Sequence, residues 1–173
     1  MKGAKALAAL AVFTLASGVG LAASGVTAAQ ADDAPPSLVE DYAYPGAAGI
    51  LAQHELKLFK GDGHILFDSK RTLAEGQCPV GLTQVEKSTN GLPPFGLYYC
   101  FKTIGSKGYL TLEVPGTFGV RGGTEDLVVK ARVTGDPDAA TKEYAVEPNE
   151  PVAIEPGDGN ELPKAVLVEI RMS

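Results

Sequence analysis

Leu97-Tyr98-Tyr99-Cys100-Phe101-Lys102, a connector containing Gly105 and Gly108, and then Tyr109-Leu110-Thr111-Leu112-Glu113-Val114 form the stretch that decides the fold. Aromatic and β-branched residues dominate it, and they suit a pleated, half-buried surface. In the second segment Leu110, Leu112 and Val114 share one face, and Tyr109, Thr111 and Glu113 the other. With glycines between two such runs, residues 97 to 114 read as a central β-hairpin. The first run also carries Cys100, one of only two cysteines.

Upstream, the same logic gives a second hairpin. Glu55 to Lys60 alternates, Gly61-Asp62-Gly63 is a turn with residues able to take positive φ, and His64 to Asp68 returns. Pro45 to His54 reads as one short helix, since Pro45 suits a first helical turn and Ile50, Leu51 and His54 fall on one side. Residues 69 to 96 are irregular, with a short strand at Leu82 to Lys87. Downstream, Pro115-Gly116 is expected to end the strand. A short strand follows at Thr117 to Arg121, turned by Gly122-Gly123. Next comes Leu127 to Val133, with Leu127, Val129, Ala131 and Val133 inward. Strands are expected at Glu143 to Val146 and Val152 to Ile154. The chain closes on Ala165 to Met172, with Val166, Val168, Ile170 and Met172 on one face. Many short alternating runs separated by turn signals predict an all-β protein, an antiparallel β-sandwich with one short N-terminal helix.

The chain has 173 residues, and its beginning reads as an export signal. Lys2 and Lys5 precede the apolar run Ala6 to Ala16, and Ala29-Gln30-Ala31 supplies the small residues of a cleavage site. Residues 1–31 are therefore read as a signal peptide, 32–37 as a flexible tail rich in acids and prolines, and 38–173 as a single domain. Gly, Ser and Thr residues dilute the apolar region beyond Ala16, so a stable membrane anchor is not expected. The reading places the protein outside the cell. In an exported chain two cysteines default to one disulfide. A Cys78–Cys100 bridge closes a loop of about 22 residues and contributes roughly 3 kcal/mol. The spacing is not Cys-x-x-Cys, so a redox pair is not indicated.

The net charge is −6, and removal of Lys2 and Lys5 with the signal leaves an even more acidic chain. Without a basic cluster, nucleic acid and anionic lipid are disfavoured as partners. Sites of chemistry are sparse. His64 beside Asp62 is the first place to look, but a Gly-Asp-Gly turn accounts for Asp62 and both glycines, and His64 then simply begins a strand. His54 is the other histidine, and the pair lacks metal-ligand spacing. No Gly-x-Ser-x-Gly occurs, and Ser106 sits in a connector. Glu113 and Glu169 fall on outward strand faces rather than on facing cleft walls. Asp136 and Asp138, and Asp158, Asn160 and Glu161, offer oxygen ligands, but neither loop follows the calcium-loop pattern. Exposed Tyr99 and Tyr109 could stack on a sugar ring, but the chain has no tryptophan, and core and cross-strand packing is the expected role of these aromatics. No catalytic residue, metal site or cofactor is assigned.

Several phrases carry a family resemblance: Gly61-Asp62-Gly63-His64-Ile65-Leu66, Tyr99-Cys100-Phe101, Gly108 to Val114, Val166 to Arg171, and the Tyr44-Pro45-Gly46-Ala47 start. Together they resemble a group of short secreted proteins from Streptomyces-type actinobacteria. The group implies no catalytic residues to carry over. The resemblance would place the first cysteine soon after the His64–Asp68 strand, where this chain has Ser69. Here it is Cys78, after an insertion. The expectation is thus a secreted, non-enzymatic β-sandwich that recognises a protein or cell-surface ligand. A protease inhibitor presenting the tethered loop 77–94 is the alternative, and a small hydrolase the second.

Overall fold

The computed structural model describes residues 42–89, 96–155 and 165–173. The segments expected to be a signal peptide (1–31) and a tail (32–37) lie outside the described residues, as do the acidic loop 158–161 and positions 90–94 of the tethered loop. In chain order the elements are α1 (Ala47–His54), β1 (Lys57–Gly61), β2 (Ile65–Thr72), β3 (Thr83–Ser88), β4 (Gly96–Thr103), β5 (Gly108–Arg121), β6 (Leu127–Val133), β7 (Lys142–Val146), β8 (Pro151–Ala153) and β9 (Ala165–Met172). A single 3-10 turn, Leu73–Glu75, separates β2 from β3. The protein is antiparallel all-β with one short helix and one disulfide, and the described residues fall in one compact unit.

The hydrogen bonds draw one nine-stranded network among the described residues, and β5 is its hub. The first half of β5 pairs with β1 (Leu58 opposite Leu112) and with β9 (Leu110 opposite Ile170). Its second half pairs with β3 (Val85 opposite Val120) and with β8 (Val120 opposite Val152). Around this strand the order runs β2-β4-β3-β5-β9-β6-β7.

Pro115-Gly116, expected to end the strand, bends it instead. Pro115 stands opposite Val166 and Thr117 opposite Ala165, which leaves Gly116 as an extra residue. Gly116 takes φ 82°, a conformation that costs glycine little. The Thr117 hydroxyl donates to the Val114 carbonyl across the bend at 2.8 Å. The expected strands 108–114 and 117–121 are therefore one strand that changes partners midway.

Both expected hairpins are corrected for the same reason. Among the described residues β4 and β5 do not pair with each other: β4 lies between β2 and β3, and β5 goes to β1, β3, β8 and β9. Likewise β1 pairs with β5 and β2 with β4, so Gly61-Asp62-Gly63 is a corner and not a hairpin turn. Two connectors, 62–64 and 104–107, run between the β1–β5 pair and the β2–β4 pair and are tied together. The Ile104 N–H donates to the His64 carbonyl at 2.8 Å. Asp62 accepts from the His64 N–H through Oδ1 and from the Tyr109 N–H through Oδ2, both at 3.1 Å. A carboxylate that takes two backbone donors satisfies the amide groups a corner would leave unpaired.

The main core gathers Leu58, Ile65, Val85, Tyr99, Phe101, Leu110, Leu112, Val120, Val129 and Ile170 from strands throughout the network. Leu110, Leu112 and Val114 point inward, as do Leu127, Val129 and Ala131, whereas Val133 is only half-buried. In β9 the expected face is right only for Ile170 and Met172. Glu169 opposes Lys130 and Leu167 opposes Ala131, so Val168 is an extra residue against β6. This bulge restarts the alternation and sends Leu167 and Ala165 to the core in place of Val168.

Helix α1 begins two residues later than expected, after Pro45 and a Gly46 at φ 73°. Ala47 and Ile50 pack on the core, but Leu51 is exposed. His54 ends the helix against Phe67, with ring centroids 5.0 Å apart.

Candidate functional site

Cys78 and Cys100 form the expected disulfide, with Cα atoms 5.6 Å apart. Strand β4 is covered on both faces because of it. Leu97, Tyr99 and Phe101 enter the main core, while Tyr98 and Cys100 join Cys78 and Leu82 in a second, smaller apolar cluster. Tyr99 is fully buried, as the core-packing reading expects, and cannot serve as an exposed stacking ring. Its hydroxyl donates to the His54 carbonyl at 3.1 Å, and burial, reinforced by the Glu55 carboxylate, pushes its pKa up to about 12. Burial also raises the pKa of Tyr98, with Glu86 adding to the effect.

The loop over this small cluster is held by three side chains that stand in one row. Cys100 on β4 lies opposite Gln84 on β3, and Gln84 lies opposite Arg121 on β5. Each grips Cys78. Cys100 bonds its sulfur. Gln84 Oε1 accepts from its N–H at 2.7 Å. Arg121 donates through one terminal nitrogen to its carbonyl at 2.9 Å. The other terminal nitrogen of Arg121 donates to Gln77 Oε1 at 3.3 Å, and Gln84 Nε2 donates to Glu86 Oε1 at 2.8 Å. Upstream, Arg71 donates to the carbonyls of Glu75 and Gly76. Thr72 and Glu75 cap each other around the 3-10 turn.

From this clamp Pro79-Val80-Gly81-Leu82 projects as a tight turn. The Leu82 N–H donates to the Pro79 carbonyl at 3.2 Å, and Gly81 has φ 88°. A β-turn with positive φ at its third residue favours glycine there, which explains Gly81. Val80, at the second position, is 88% exposed, more than any other large apolar side chain among the described residues. Gly123 backs the turn so closely that a Cβ there would lie 2.8 Å from the Gly81 carbonyl oxygen.

The remaining candidates are not brought together. His64 Nδ1 lies 2.9 Å from the Ile104 carbonyl oxygen and donates to it. Asp62 is engaged by backbone amides, and the His54 ring packs at a tilt of 58° against Phe67. Glu113 is paired with Lys57 at 2.7 Å and Arg132 at 3.6 Å, and Glu169 with Lys130 and Arg171. Both belong to a cross-strand charge ladder on the outer face of β1, β5, β9, β6 and β7. In the loop 136–138, Asp136 Oδ1 accepts from the Asp138 N–H at 2.9 Å, a local turn contact. Ser106 is exposed in its connector. Among the described residues no group of three or more His, Cys, Asp or Glu could hold a metal ion, and no helix is long and apolar enough to cross a membrane.

Gln84, Arg121 and Gly123 had no signal in one sequence. A glutamine in a strand and an arginine at a strand end are common, and their meaning depends on the β4-β3-β5 register. The chain matches no protein-family model, and a search of curated proteins returns no match.

Proposed function

We propose that this chain is an exported, non-enzymatic protein, of the short actinobacterial secreted kind it resembles, that recognises a protein or cell-surface ligand through the Pro79-Val80-Gly81 turn. One observation carries the reading: an exposed isopropyl group stands on a backbone fixed by a disulfide and by two side-chain hydrogen bonds to one residue. An apolar side chain in water gains on entering a pocket. A preorganised turn also loses little conformational entropy when it binds. The complementary surface is a small apolar pocket of roughly valine size. A disulfide suits an oxidising, extracellular setting.

The inhibitor alternative has less support. An extended peptide docked in a cleft uses its main chain for strand-like pairing. Here the Cys78 N–H and carbonyl are already taken by Gln84 and Arg121, and the turn is closed by its own hydrogen bond. The hydrolase alternative has less again, since His64 is committed to the Ile104 carbonyl and Asp62 to two amides.

The test is a paired pull-down with the mature protein and its Val80→Asp variant, on cell wall and secreted proteins of the producing organism. The reading expects a partner or wall polymer retained by the parent and lost with Val80→Asp, at unchanged thermal stability. Equal retention by both forms, or retention by neither, overturns it.

A further inference from the structure

We draw no further inference here: the strongest candidate outside the clamped turn, the edge-to-face Tyr42–Tyr109 ring pair beside Arg171 at the end of β5 and β9, is a partly exposed surface patch, and nothing in the structure shows what covers it.

Discussion

Gln84 Oε1 accepts a hydrogen bond from the Cys78 amide at 2.7 Å, and Gln84 itself is fully buried. Removing that acceptor leaves a buried N–H without its partner. Gln84→Ala is expected to destabilise the protein by about 1–3 kcal/mol in urea unfolding monitored with the disulfide intact. Loss of less than ~0.5 kcal/mol would mean that the amide finds another partner and that the clamp is redundant.

Asp62 holds two amides, that of His64 just before β2 and that of Tyr109 on β5. Asp62→Ala is expected to cost roughly 2 kcal/mol, from two charge-assisted bonds partly replaced by water at this half-exposed corner. His64→Ala, which removes one bond to the Ile104 carbonyl, should cost about half as much. A larger effect for His64 than for Asp62 in parallel thermal melts would contradict the assignment of Asp62 as the corner's anchor.

Tyr99 gives the fold an alkaline limit. Its pKa is about 12 in the folded protein against an ordinary value of 10, so between these pH values the folded state holds the proton more tightly than the unfolded one. Its contribution is fully present below pH 10 and is lost as pH rises towards 12. Tyr99→Phe should lower stability at neutral pH by about 1 kcal/mol, through the lost bond to the His54 carbonyl. It should also flatten the decline above pH 10. Parallel slopes for the two forms in denaturation at pH 9 to 12 would refute the link.

Element positions were legible in the sequence, but pairings were not. Alternation, helped in β4 by its run of aromatic residues, located the strands because successive side chains point to opposite faces of a strand. Which strand lies beside which is set by long-range contacts. Gly61-Asp62-Gly63 and the 104–107 connector carry the residues of hairpin turns yet act as corners, tied by Asp62 to the Tyr109 amide on β5 and by the Ile104 amide to the His64 carbonyl. Pro115-Gly116 reads as a stop, and becomes a bend only because β3 and β8 take up the strand beyond it. The Val168 bulge is equally silent: the sequence alternates through it while the structure does not. For the candidate site, the disulfide was readable from two cysteines in a chain whose first residues read as an export signal. The row Cys100–Gln84–Arg121 was not, since it exists only once three strands are in register.

Glycines separate tight from open positions. A Cβ at Gly122 would sit 2.1 Å from the Glu147 carbonyl oxygen, a backbone atom that cannot move aside alone. Gly122→Ala is therefore expected to cost at least ~3 kcal/mol, at the upper end for overpacking. Gly49, inside α1, has nothing within 4 Å of its would-be Cβ. Gly49→Ala should raise stability by about 0.5–1 kcal/mol through helix propensity. Thermal melts of the two variants beside the parent check both signs.

The Val80–Gly81 bond offers the sharpest contrast between exposure and accessibility. By exposure alone the turn is a protease target, with Val80 at its apex. Cleavage, however, requires the chain to unfold locally into an extended form. Local opening must break the bonds from Gln84 and Arg121 to Cys78, and the disulfide keeps Cys78 on β4 even then. The oxidised protein is therefore expected to resist an elastase-type protease at this bond. Reduction, or the Cys78→Ala/Cys100→Ala double variant, removes roughly 3 kcal/mol of constraint. Either should make the bond cleavable at least tenfold faster, with fragments ending at Val80 in mass spectrometry. Rapid cleavage there in the oxidised form would show that the clamp does not fix the turn, and the preorganisation on which the recognition proposal rests would fall with it.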